Sequence, residues 1–265
     1  MEIVNPHLQY DGFIRTPRAT NAIEYILHEN VQVNTVLDVG IGVNTWFLQK
    51  TLPDKKHILF EPLLEYKDRC EEDYTSKGLD YELYNIALSD HIDANGNLFF
   101  DKVPGRDFIW AGVVPPDSSH YQGDEHDTRK MNIDTLDNFL SDKDYPKPYY
   151  LKVDVDGQEM KVMHGAIDTL RDCSVVQLEA SLHGQWSVEQ GRPMGSPIWE
   201  SIQWFQDRGF QLWDIVDQMY LGGKLWQVDV IFVNRKDYDR IHLEHVKKDK
   251  LANQRIDEQL KIRFI

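Results

Sequence analysis

The chain lacks any apolar run long enough to span a bilayer. Its opening residues, M-E-I-V-N-P-H, have no basic stretch ahead of an apolar one, so no signal peptide is expected and the cytoplasm is the default compartment. Cysteine is scarce: Cys70 and Cys173 are the two present, and they read as free thiols of a reducing compartment rather than a disulfide framework. Positive charge is also short. Against 44 acidic residues stand 29 lysines and arginines, which leaves a formal charge of −15. Such a chain is a poor default partner for nucleic acid or an anionic membrane. No internal repeat or low-complexity segment is visible, which removes solenoid and fibrous architectures.

A third glycine is missing at an informative place. Residues 35–44 read T-V-L-D-V-G-I-G-V-N, and H-I-L-F-E follows at 57–61. Val36, Leu37 and Val39 have the apolar, β-branched character of a buried parallel strand. Gly40 and Gly42 allow a tight turn over which a ligand can approach the backbone, with a helix expected from Asn44 or Thr45. Glu61 closes the next strand, where a carboxylate can accept from ribose hydroxyls. A dinucleotide fingerprint, G-x-G-x-x-G, would need glycine at position 45, where Thr45 stands. Asp38 would also repel a pyrophosphate. A carboxylate there suits a cation, and S-adenosylmethionine carries a sulfonium and an ammonium but no phosphate. A nicotinamide-dependent oxidoreductase and a non-catalytic cofactor-binding protein are the competing readings of the same fold.

A hydrophobic content of 41% in 265 residues supports one large core. Strands expected at 35–39, 57–61, 81–88, 149–153 and 175–178 alternate with helices at 45–52, 63–77, 133–140, 158–170 and 198–208. This is an α/β pattern: a doubly wound, mostly parallel seven-stranded sheet, Rossmann-like. A terminal hairpin, 210–217 with 227–234, adds antiparallel strands. Asn21 with Glu24 suggests the cap of an earlier helix. A short strand is expected at 98–100, and residues 101–130 read as a long irregular loop, a candidate lid. The chain divides into an N-terminal extension (1–32), a cofactor-binding domain (33–234) and a charged, helical tail (235–265). The tail can dock on the domain, pair with a second copy in a homo-oligomer, or extend into solvent.

Asp38, Glu61, Asp90, Asp154 and Glu179 all fall at or just past expected strand ends, which gathers acidic groups on one rim. Asp90 can accept from an adenine amine or make an Asx turn in its loop. Lys152 and Asp154 share strand parity and therefore a face. A pair of this kind is either a structural ion bridge or part of a proton-transfer site. His183, after the fifth strand, is the first histidine candidate for proton removal, ahead of His120 and His126. Asp154, Asp156, Glu179 and His183 also offer oxygen and nitrogen donors of the kind that hold magnesium, an alternative reading with a divalent ion.

The chain resembles the FkbM-type S-adenosylmethionine-dependent methyltransferases of the class I superfamily. The resemblance rests on D-V-G-I-G at 38–42, N-I-A-L-S-D at 85–90 and I-D-T-L-D-N-F-L at 133–140. It continues through Y-L-K-V-D-V-D-G-Q-E-M-K-V-M-H-G-A at 150–166 and V-V-Q-L-E at 175–179. It departs at one point: the family's D-x-G-A-N-x-G appears here with Gly42 and Asn44 in exchanged order. The resemblance implies methyl transfer to a hydroxyl oxygen of a sugar, glycan or secondary metabolite. The cofactor set read from the residues is Asp38, Gly40, Gly42, Asn44, Glu61 and Asp90, and the resemblance faces Lys152 and Asp154 toward the transferred methyl.

Overall fold

The computed structural model describes residues 18–102, 109–113, 127–182, 185–187, 192–194 and 197–263. Helix α1 (Ala19–His28) starts two residues before the expected Asn21 cap. Its cap comes from elsewhere in the chain: the Ala19 amide donates to Asp217 Oδ2 at 3.0 Å. Strand β1 (Thr35–Val39) is buried throughout, and the glycine turn after it feeds α2 (Trp46–Thr51). Strand β2 (Lys56–Phe60), helix α3 (Leu64–Ser76) and strand β3 (Tyr81–Tyr84) complete the first βαβ crossovers.

The expected strand 81–88 is split. Asn85 turns its amide back onto the carbonyls of Glu61 and Pro62, donating at 2.8 Å to each. The chain leaves the main sheet there, and β4 (Ala87–Leu88) joins a different one. Strands β5 (Asp93–Lys102), β6 (Ile109–Val113) and β7 (Asp127–Asp134) build that second sheet, in the order β4-β7-β5-β6. The reading of 101–130 as one irregular loop is therefore corrected: its described residues are strands. Ile133 and Asp134 likewise end β7 rather than open a helix. Thr135 caps α4 (Leu136–Leu140), its hydroxyl accepting from the Asn138 amide.

Strand β8 (Tyr149–Val153) precedes α5 (Glu159–His164). This helix is shorter than expected. It stops at Gly165, where a Cβ would lie 2.1 Å from the Ser89 carbonyl oxygen. Strand β9 (Cys173–Ser181) extends further than its apolar run, and the short hairpin β10 (Gln185–Ser187) and β11 (Arg192–Met194) follows. Helix α6 (Ile198–Gln206), strands β12 (Phe210–Leu221) and β13 (Lys224–Asn234), and helix α7 (Arg235–Arg263) come last along the chain.

The main sheet has seven strands in the order β12-β13-β9-β8-β1-β2-β3. Strands β9, β8, β1, β2 and β3 run parallel, and β13 and β12 are antiparallel additions, as expected for a terminal hairpin. Strand alternation divides the core into two faces. On one, Leu37, Val39, Leu151, Val153, Val176 and Phe232 pack with Val162 and Phe205 from α5 and α6. On the other, Val36, Tyr150, Val175 and Ile231 pack under α1 and α2. Helix α7 closes this second face, with Ile241 only 2% exposed. Its Arg240 donates to the Glu29 carbonyl. Among the described residues no helix is long and apolar enough to cross a membrane.

Candidate active site

The second face turns polar toward the carboxyl ends of the parallel strands, where ligands of such sheets sit. Asp38, opposite Lys152 in register, is fully buried. Lys152 Nζ stands 3.5 Å from Asp38 Oδ1 and 3.2 Å from Asp154 Oδ2. Burial alone would lower the Lys152 pKa, but Asp154 and Asp38 outweigh it and hold the ammonium above its ordinary value. Neither Asp38 oxygen has a hydrogen-bond partner among the described residues, so the 3.5 Å ion pair carries that charge. Asp154 differs: its side chain, just past the carboxyl end of β8, is 37% exposed.

The glycine turn is pressed against the same place. Gly40, at φ +77°, leaves no room for a side chain, since a Cβ would lie 1.8 Å from the Asp154 carbonyl oxygen. Gly42, at φ +58°, faces open space. Glu61 clamps the turn from β2. Its Oε2 accepts from the Gly42 amide and its Oε1 from the Leu63 amide, each at 2.8 Å. Burial pushes its pKa up to about 7, against the pull of those two amides. Asn44 hydrogen-bonds Asp73 of α3. Asp90 pairs with His91 at 2.8 Å.

The loop after β8 is held from two sides. Glu159 Oε1 accepts from the amides of Val155 (3.1 Å) and Gly157 (2.8 Å), so its role exceeds a favourable charge at a helix start. Asp156 sits at φ +54°, a backbone that costs a non-glycine residue energy. The inserted sheet supports it: Asp156 takes a hydrogen bond from the Ala111 backbone, and Gln158 Nε2 donates to the Val113 carbonyl at 3.0 Å. Burial, followed by the Asp154 and Glu61 charges, raises the Asp156 pKa to about 7.

The polar row continues across β9 into β13. Tyr150 donates to Gln177 Oε1, and Gln177 Nε2 donates to Asp229 Oδ2, both at 2.5 Å. Asp229 lies opposite Glu179 in register, and Gln227 donates to Glu179. Burial, with Asp154 the next cause, raises Asp229 to about 7 and Glu179 to about 10. Gln177, Asp229, Gln227 and Ser181 were not among the sequence candidates. Their signal was period-two polarity: Gln177, Glu179 and Ser181 recur at every second place along β9. His183, His120 and His126 lie outside the described residues. Among the described residues no three His, Cys, Asp or Glu side chains are gathered to hold a metal ion; His183, the fourth of the magnesium donors that the residue types suggested, lies outside them.

The sequence matches the methyltransferase FkbM domain over residues 37–212. The chain belongs to the FkbM methyltransferase family. No curated protein matches it. Solved structures match it at low identity. One is a S-adenosylmethionine-dependent methyltransferase from Clostridium acetobutylicum ATCC 824, with 10% identity over 81% of this chain and 90% of that chain, at a TM-score of 0.44. Another is an rRNA methylase from Streptococcus thermophilus, with 10% identity over 84% of this chain and 99% of that chain, at a TM-score of 0.43. TehB from Haemophilus influenzae matches at 7% identity over 80% of this chain and 61% of that chain, with a TM-score of 0.45. For this FkbM methyltransferase the nicotinamide reading is set aside, and the donor is S-adenosylmethionine. The residues present fit that donor. The rim offers carboxylates to a cation, the Asp38 carboxylate lacks hydrogen-bond partners among the described residues, and the Gly42 side of the turn is open.

Proposed function

We propose that this protein is an O-methyltransferase acting on a hydroxyl of a sugar, glycan or other small metabolite, with Asp154 as the proton acceptor. The donor, when bound, supplies an electrophilic methyl on a positively charged sulfur. In this reading Glu61 accepts from the ribose hydroxyls through the lone pairs its two amide contacts leave free. Gly40 and Gly42 bring backbone close to the donor. Asp38 acts at second hand, by fixing Lys152. Asp90 takes the adenine amine after releasing His91.

The observation that carries the reading is the Asp38–Lys152–Asp154 row. Its buried end is locked, while its outer carboxylate is 37% exposed with a cation 3.2 Å away. An acceptor oxygen held beside Asp154 can pass its proton to that carboxylate as it attacks the methyl in line. As the sulfonium loses its positive charge the carboxylate loses its negative one, so the net charge of the site is unchanged, and Lys152 holds the carboxylate in place. A nucleic-acid acceptor is disfavoured by the chain's charge of −15 and by the acidic rim. The buried, free Cys70 and Cys173 suit a reducing compartment.

The test is transfer from labelled S-adenosylmethionine to a panel of neutral glycosides and hydroxylated metabolites. Asp154→Asn should lower kcat by about 10²–10⁴-fold and leave S-adenosylhomocysteine affinity nearly unchanged. Full activity in that variant would remove Asp154 as the base.

A further inference from the structure

The outer ends of β9 and β13 hold polar groups that neither cofactor binding nor proton removal uses. Ser181 lies opposite Gln227 in register, and Glu179 lies opposite Asp229. Alternation along β9 puts Ser181 on the same face as Glu179 and Gln177. Ser181 is only 7% exposed, and its hydroxyl has no hydrogen-bond partner among the described residues. A buried hydroxyl without a partner costs free energy unless something else completes it. Gln227, the neighbour across the ladder, is already committed to Glu179. The strand ends here, at the same carboxyl edge of the sheet as Asp154: the Leu182 amide donates to the Trp226 carbonyl at 3.0 Å, and Ser181 bridges to Pro197 just ahead of α6.

We propose that Ser181, Gln227 and Glu179 form the acceptor-recognition wall of this site, built for a neutral or cationic polyhydroxyl compound and closed to an anionic one. The inference rests on the methyltransferase reading and deepens it. Ser181 supplies a hydroxyl able to donate or accept, Gln227 an amide, and Glu179 a carboxyl that its surroundings keep protonated at neutral pH. These are neutral hydrogen-bonding groups suited to alcohols. Asp154, Asp156 and Asp229 stand close enough to Glu179 to raise its pKa, and the charge that Asp154 carries, with the part that Asp156 and Asp229 keep at neutral pH, repels a phosphate or carboxylate on the acceptor. A cationic substituent would gain from them. Across the ladder from these groups, the β12 hairpin arm exposes Met219 (46%) and Tyr220 (61%), an apolar and aromatic surface suited to a sugar face.

The experiment uses the full chain saturated with S-adenosylhomocysteine and three matched probes: methyl glucoside, glucosamine and glucose 6-phosphate. Binding is followed by ligand-observed NMR and calorimetry. Methyl glucoside and glucosamine should bind, and glucose 6-phosphate should bind at least tenfold more weakly. Ser181→Ala and Gln227→Ala should each weaken methyl glucoside at least fivefold, with S-adenosylhomocysteine affinity held within twofold. Equal or tighter binding of glucose 6-phosphate overturns the proposal, as does unchanged methyl glucoside affinity in both variants. Failure of all three probes to bind the cofactor-loaded protein overturns it too. Failure of S-adenosylhomocysteine itself to bind the unmodified protein would instead overturn the methyltransferase reading beneath it.

Discussion

Replacing Lys152 with methionine keeps the length of the side chain and removes its charge. Lys152 is 5% exposed, and Asp38 beneath it is 0% exposed with no hydrogen bond of its own among the described residues. Asp154 can turn to water, since its side chain is 37% exposed, so its loss of a partner costs little. Asp38 cannot. Removing one partner of a buried pair costs about 3–5 kcal/mol, because an uncompensated charge is left inside. At about 2–4 °C per kcal/mol for a chain of this size, Lys152→Met should lower Tm by about 6–20 °C. The control is the double variant Asp38→Leu with Lys152→Met, which removes both charges and should recover most of the loss. Urea titrations of the wild type, both single variants and the double variant give the coupling energy directly. A single-variant cost under about 1 kcal/mol, or a double variant no better than the sum of the singles, would refute the buried pairing.

Three further outcomes follow from the same geometry. Glu61, Asp156 and Asp229 have folded pKa values raised to about 7 from ordinary values of 4.5, 3.8 and 3.8, so the folded state holds more protons than the unfolded one between those limits. Stability is fully present near pH 4 and falls as pH climbs through about 7, with each group contributing at most about 1.4 kcal/mol per pH unit; a urea midpoint that rises from pH 5 to pH 8 would contradict this, and Asp229→Asn should flatten part of the decline. Gly40→Ala forces a Cβ to 1.8 Å from the Asp154 carbonyl oxygen at φ +77° and should abolish S-adenosylhomocysteine binding by calorimetry, whereas Gly42→Ala meets open space and should cost only the ~1–2 kcal/mol of left-handed backbone; equal behaviour of the two variants would count against the close approach. Glu61→Gln leaves one of the Gly42 and Leu63 amides facing an NH₂ group and should weaken S-adenosylhomocysteine at least tenfold, measured by the same calorimetry.

The parallel strands were legible because their apolar runs are short, β-branched and followed at once by turn residues or a carboxylate. The shared face of Lys152 and Asp154 followed from parity alone. That Asp38 is the third member depended on β1 lying beside β8, a pairing between segments more than a hundred positions apart that no local pattern reveals. The inserted sheet was missed for a different reason. Its strands β6 and β7 alternate between segments rich in Gly, Pro and Asp, and those breakers dominated the reading of the whole stretch. The division of 81–88 turned on Asn85, whose side-chain bonds to Glu61 and Pro62 exist only once β2 is in place. Glu61 was found by position, but its grip on the Gly42 amide belongs to the folded turn.

Strand β6 touches the loop after β8 at two points, through Ala111 and Val113, whereas Glu61 and the glycine turn are held from β2. The chain thus separates two tasks that must meet at one atom. On the proposed reading, strands β1 and β2 carry the grip on a universal donor. On the same reading, the appended sheet and the far hairpin border the side where the acceptor enters. On that reading, changes in those peripheral pieces would re-shape what is accepted and leave the donor's seat alone, which would give one scaffold a route to many products.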